Sequence, residues 1–462
     1  MRTNYKTREL HQSFGDKRLD ARFENLCEIF SNKLHQPIPN ICENKAQTKA
    51  TYRFLEHQNV KEITMLQKQI SSINVFLEKH NPTRILQISD TVELDYTNKK
   101  GAKDLGSLNY VNQKGMLLQT SLLTTTNGLP IGLLHQNYIS RSSETFGQSA
   151  TRESLPFEEK ESYRWLEHFK KGESLCNSHT NLEVVYIADS ESDLIELYQN
   201  REQEQMHFLI RSKFNRKLAD KSDSLYSILE KQASQGQQTI TILNGQTNKE
   251  RNATLEFRFC PVELTQHRQI KNKPDRSVVS MYAIKISEIN TPADVEQGIE
   301  WFLLTTLPIE TFEQALEATA YYILRWLIER FHFLLKSGGA EVEKLQLTTA
   351  QRLKNAITLY SISIIKAMSI RYWAEKSPAS SIDQIGITDI EHKVLYTYAK
   401  AKVDKKIVYD AQATTVNEFC IILGKIAGFN PSKRQPLPGF VIITRALEKL
   451  KTLVDAYDIL CQ

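Results

Sequence analysis

Two short apolar runs, each ending on an aspartate, constrain this chain most. The first is RILQISDTVELDY (84–96), in which Asp90 follows the apolar stretch. The second is EVVYIAD (183–189), closed by Asp189. Their length and β-branched content predict buried strands. The second run leads into a helical stretch, SESDLIELYQ, and then a further strand, HFLIRSK (207–213). Strands joined partly by helices predict an α/β core. Between the two aspartates, MLLQTSLLTTTNGLPIGLLHQNYI (116–139) predicts a strand pair turning at Asn127-Gly128.

The flanks read differently. Residues 1–70 are expected to be helical and to form one domain. Asp16 would cap KRLDARFENLCEIFSNKL, Pro37 and Pro39 break the chain, and a second helix carries Lys45, Lys49 and Arg53. This segment holds 12 Lys/Arg against 8 Asp/Glu, and Lys17, Arg18 and Arg22 could share one helix face. A β-rich insertion is expected over about 218–300. A long helix from Phe312 to Lys336 then stops at Gly338-Gly339. The central region is placed at 71–372 and a helical C-terminal region at 373–462.

Composition excludes more than it assigns. A net charge of +5 permits a nucleic-acid partner without demanding one. The six cysteines have no zinc-type spacing, and neither a Walker lysine loop nor G-x-G-x-x-G occurs. No apolar run approaches the ~20 residues that span a bilayer. The N-terminal residues lack the apolar core of a secretory signal. A cytoplasmic location is expected.

Chemistry enters with YILRWLIERFHFLLK (322–336). At about 100° per residue, Arg325, Glu329 and Lys336 fall within about 60° of Tyr322, with His332 at the stripe's edge. Leucine, isoleucine and phenylalanine occupy the other side. The ordinary account is a solvated face with an Arg325–Glu329 ion pair, worth a few tenths of a kcal/mol. The aspartates have ordinary accounts too. Asp90 could open a turn, Asp189 could cap the following helix, and Ser190 with Asp193 could form a capping box. The functional account is that Asp90, Asp189 and Glu329 meet. Three gathered negative charges are costly unless cations neutralise them. Magnesium prefers such oxygens, and two ions about 3.5–4 Å apart could activate water at a phosphodiester.

The spacing Tyr322-x2-Arg325-x3-Glu329-x6-Lys336 resembles the Y-R-E-K signature of the insertion-sequence-four family of DDE transposases. Within it, the chain is most similar to the transposon-five type of cut-and-paste enzyme. EWFLLTTLP through IERFHFLLKSGGAEVEKLQ resembles the family almost throughout. ISDTVELDY, LLHQNY, YIADSESDLIELY and FLIRSK resemble its aspartate segments. FGDKRLDARF and YRFLEHQNV resemble its end-binding domain, and PGFVIITRALEKLKTLVDAY its closing helices. Ser190 stands where relatives can carry a basic residue.

This resemblance implies a ribonuclease H-like α/β core with a β-rich insertion, flanked by helical N- and C-terminal domains. It implies catalysis by Asp90, Asp189 and Glu329 holding two magnesium ions, with manganese able to substitute. Tyr322, Arg325, Lys336, Arg211, Lys213 and His332 are then expected on DNA near the cut, as is Trp301, which would stack on a flipped base. Lys17, Arg18, Arg22 and Arg53 are expected on transposon-end DNA. The implied partners are double-stranded DNA ends, target DNA and a second copy of the chain, at the nucleoid of a prokaryote. A non-catalytic DNA-binding protein and a different nuclease on the same core are the rival readings.

Overall fold

The computed structural model describes residues 14–99, 101, 103–110, 112–141, 155–243, 250–265, 278–292, 295, 297–410 and 413–460. The chain divides into two compact units. The first comprises Met1–Asn81, Thr91–Gln148 and Leu327–Gln462; the second comprises Pro82–Asp90 and Ser149–Trp326. Among the described residues, no helix is long and apolar enough to cross a membrane.

The second unit is built on a mixed sheet. Its strands are β1 (Arg84–Asp95, through Asp90), β5 (Glu183–Ala188), β6 (Met206–Arg211), β7 (Gly236–Leu243), β8 (Glu250–Leu264), β9 (Val279–Ile289) and β10 (Glu300–Thr305). They lie in the order β1-β5-β6-β10-β9-β8-β7. β1, β5 and β6 run parallel, and the later strands pair antiparallel. The insertion expected at 218–300 is therefore a continuation of this sheet, from β7 through β9, rather than a separate body.

Parallel strands are covered on both faces, which is why β5 and β6 read as unbroken apolar runs. Helix α5 (Tyr163–Ser178) packs on them. Its Phe169 stacks on Phe208 of β6, with centroids 4.3 Å apart and planes 13° from parallel. Gly172 permits the approach: a β-carbon there would collide with Gln87 Oε1 and Met206 Cε. The short helix α6 (Ile195–Gln199) links β5 to β6, and α7 (Leu225–Lys231) packs on β8 and β9.

The first unit begins with helices α1 (Lys17–Asn32), α2 (Ile38–Ile41), α3 (Lys45–Glu56) and α4 (Glu62–His80). Asp16 caps α1 as expected, accepting from the Arg18 amide. β2 (Gly106–Ser107), β3 (Lys114–Thr125) and β4 (Pro130–Ile139) follow. The turn between β3 and β4 has Gly128 at φ +89°, a conformation that suits glycine. α10 (Ala350–Lys376) is largely buried. It packs against α1, α4 and β4, and against α12 (Val416–Ile426) and α13 (Phe440–Leu460), while α11 (Asp389–Lys402) packs on α12 and α13. Phe30 of α1 meets Tyr360 of α10 edge-on at 4.8 Å. Residues 14–70 and the C-terminal helices thus share one core, and the boundary expected at residue 372 falls inside α10.

The helix expected from Phe312 to Lys336 is broken twice. α8 (Phe312–Ile323) ends at Leu324, where the Leu324 and Arg325 amides bond three residues back. α9 (Trp326–Phe333) follows, and Leu334–Gly338 forms a wider π-helical turn. An ideal 100° projection cannot show such local changes of pitch.

Candidate active site

Register builds this site in the second unit. β1 and β5 pair from Arg84↔Glu183 to Ile88↔Ile187. Two residues further along come Asp90, still within β1, and Asp189, just past the end of β5. β5 and β6 pair through Ala188↔Ile210. The next residues are Asp189 and Arg211, the last residue of β6. Two carboxylates and a guanidinium therefore lie just past the last paired residues of three neighbouring parallel strands. The carboxyl ends of parallel strands, about 4.8 Å apart, are where α/β sheets place their ligand groups.

Each group is held from its own element. Asp189 is extended, and its Oδ1 accepts from the Glu191 amide at 2.9 Å, capping the turn Ser190–Ser192. Asp189 therefore caps a single 3-10 turn and not the expected helix, which begins only at Ile195, and the bond orients its carboxylate. Tyr186, earlier on β5, is fully buried. Burial pushes its hydroxyl pKa up, a Ser89 hydrogen bond opposes this, and both Asp90 and Asp189 are near enough to add to the rise. Arg325 faces the pair: its Nη1 lies 3.7 Å from Asp90 Oδ2, with only 16% of its side chain exposed.

Tyr322 joins the same corner. Burial pushes its pKa up to about 12, against the pull of nearby Arg325 and Arg211. Its hydroxyl stays protonated at neutral pH and can donate to a phosphate oxygen. Trp301, at the start of β10, meets the Tyr322 ring edge-on at 5.6 Å. Lys213 is exposed two residues beyond β6. The structure therefore brings together Asp90, Asp189, Arg211, Trp301, Tyr322 and Arg325.

Glu329, His332 and Lys336 belong to the first unit. Lys336 donates to the Glu93 carbonyl at 2.8 Å and pairs with Glu343 at 3.1 Å. His332 is buried, and burial with nearby Lys336 pushes its pKa down to about 3. The imidazole is therefore buried and uncharged at neutral pH. The polar stripe is not a solvated face. Tyr322 is 5% exposed, whereas Ile323 and Trp326, at 45% and 57%, face out.

Hard carboxylate oxygens at one level suit a divalent cation. Asp90 and Asp189 supply two such donors, and Arg325 supplies positive charge beside Asp90. Among the described residues, no group of three or more His, Cys, Asp or Glu is gathered as metal ligands.

In the first unit, Lys17, Arg18 and Arg53 are exposed and Arg22 half-buried. Arg18 is engaged by Asp16 through Nε at 3.1 Å and Nη2 at 2.8 Å. Lys45, Lys49 and Arg53 lie one helical turn apart along the exposed side of α3.

Residues 170–365 match the family model described as the transposase DDE domain. The chain is a DDE-type transposase. Residues 3–60 match a second model, transposase DNA-binding, so DNA is its partner. The DDE match includes Asp189, Arg211, Trp301, Tyr322, Arg325 and Glu329; Asp90 lies before it. DDE domains generally use divalent metal ions. The transposase also aligns with a piggyBac transposase synaptic complex with hairpin DNA. That alignment has 10% identity and a TM-score of 0.34, covering 92% of this chain and 78% of that one. So distant a likeness says nothing of this chain's activity.

Sequence reasoning missed one group at this transposase's site. Asp193 is not a capping partner of Ser190. Its buried carboxylate binds Arg216, and the only sequence signal was an aspartate four residues after Asp189.

Proposed function

We propose that this transposase cuts and joins DNA through Asp90, Asp189 and Glu329. It is read as an insertion-sequence-four, transposon-five-like enzyme on a ribonuclease H-like core. The observation that carries this is that Asp90, Asp189 and Arg211 lie just past the last paired residues of β1, β5 and β6, with Arg325 3.7 Å from Asp90. The three carboxylates would hold two magnesium ions, replaceable by manganese. Bound there, the ions would supply an activated water and stabilise the leaving oxygen.

The chain's own residues handle the DNA. Arg211 and Arg325 place guanidinium charge beside the carboxylates, where a scissile phosphate must sit. Tyr322 donates a hydroxyl hydrogen bond. Lys213 and Lys336 add positive charge that can pair with phosphates. Trp301 offers an aromatic face to a base turned out of the stack, a step costing a few kcal/mol of stacking. One strand at the transposon end is nicked, and its 3′-OH attacks the opposite strand to form a hairpin. Water reopens the hairpin, and the 3′-OH joins target DNA. Two copies act together on paired ends, at the nucleoid.

Incubating an inverted-repeat duplex with magnesium tests this on a denaturing gel. Wild type is expected to give nicked and hairpin products. Asp189→Asn and Glu329→Gln, which keep side-chain size, are expected to give neither. Undiminished nicking by either variant would remove the assignment.

A further inference from the structure

We propose that Asp193 is a positioning residue that ties the DNA-contacting loop after β6 to the turn bearing Asp189. This rests on the reading of Arg211 and Lys213 as DNA contacts.

Asp193 is 1% exposed, yet its charge is fully met. Its Oδ2 accepts from the Lys213 amide at 2.7 Å, the Phe214 amide at 3.4 Å and the Ser212 hydroxyl at 3.4 Å. Its Oδ1 accepts from Tyr198 Oη at 2.8 Å and Arg216 Nη1 at 2.5 Å. Arg216 Nη2 also reaches the Asp193 carbonyl at 2.6 Å. A buried carboxylate is tolerated only when so fully paired.

Every loop group it holds flanks an exposed one. Arg211, Lys213 and Phe214 face solvent, while Ser212 and Arg216 point inward. Phe214 has the Lys213 ammonium 5.7 Å and the Arg216 guanidinium 5.2 Å from its ring centroid. On the other side, Asp193 closes the turn that begins at Asp189. The Ser192 amide and hydroxyl both bond the Asp189 carbonyl, at 3.2 and 2.8 Å. One carboxylate thus fixes the distance between a catalytic aspartate and the cations expected to hold its DNA. An asparagine there keeps one acceptor oxygen and turns an NH2 toward either two amides or a guanidinium. Donor would then face donor, and the loop would come free.

The test is cleavage of an end-containing duplex by the full chain as wild type, Lys213→Ala, Asp193→Asn and the double variant. DNA concentration is varied, and trypsin digestion is run alongside. Lys213→Ala is expected to raise KM for DNA about tenfold, the scale of one charge-assisted hydrogen bond, with kcat little changed. Asp193→Asn is expected to raise KM similarly and to open a tryptic cut after Lys213 or Arg216. The double variant should fall no further than the worse single, because both changes act through one loop. Multiplying losses, or normal cleavage by Asp193→Asn when Lys213→Ala is impaired, would overturn the positioning role. Normal cleavage by Lys213→Ala and by Arg211→Ala would instead overturn the DNA-contact reading on which it rests. Should Asp193→Asn not fold, Asp193→Asn/Arg216→Gln removes both buried charges and gives the same comparison.

Discussion

At the scale of single residues, what matters is which charges are offset and by what. Asp90 and Asp189 follow the paired stretches of neighbouring strands, and Arg325 faces Asp90 at 3.7 Å. Replacing Arg325 by alanine removes that countercharge and a phosphate donor together. Cleavage is expected to fall about 10²-fold, the effect of removing one aligned donor from an active site. End binding should be unchanged, because the matched DNA-binding segment is residues 3–60. Equal losses of binding and cleavage would contradict this placing of Arg325. His332 makes a different prediction. Its folded pKa is pushed from an ordinary 6.5 down to about 3, chiefly by burial. The unfolded chain therefore takes up the proton first, and stability is lost as pH falls from 6.5 toward 3. His207, pushed to about 4 by burial, adds to the same slope. Denaturation midpoints measured between pH 7 and 4.5 should fall, and less steeply for His332→Phe; parallel slopes would show that His332 is not the titrating group.

At the scale of elements, α3 carries the clearest binding feature. Lys45, Lys49 and Arg53 form an exposed basic line within the matched DNA-binding segment. Neutralising one cation that pairs with a phosphate should flatten the log–log salt dependence of end binding by about 0.9. Lys49→Gln/Arg53→Gln should therefore flatten the slope by about twice that amount, and an unchanged slope would turn α3 away from DNA. Arg18→Gln should do less, since Asp16 already opposes that charge. Elements also show what a sequence reveals. β1, β5 and the Asn127-Gly128 turn were legible because apolar runs and turn residues act locally. So was the α1 cap. The site's group of charges was only half legible: each strand end could be seen, but the register that relates them is set by long-range pairing. The break at Leu324–Arg325 was hidden, because an ideal period runs straight through a two-residue change of pitch. The Asp193–Arg216 pair was hidden too, because its partners lie 23 residues apart across a strand and a helix.

At the scale of the whole molecule, the recognition and cutting parts should separate by experiment. The DNA-binding match lies in the first unit, and the aspartate pair lies in the second. A variant with Asp90→Asn, Asp189→Asn and Glu329→Gln should bind end DNA as tightly as wild type while giving no product. Weakened binding would show that the carboxylates support recognition as well. If two copies act together, cleavage at limiting protein should rise with the square of concentration; a linear dependence would contradict the paired assembly. The central claim is that Asp90, Asp189 and Glu329 share bound metal. It is tested most directly by loading the transposase with ferrous iron and mapping where hydroxyl radicals cut the polypeptide. Cuts are expected beside all three residues, each suppressed by excess magnesium. Cuts near residues 90 and 189 without one near 329, or cuts that magnesium leaves unchanged, would contradict it.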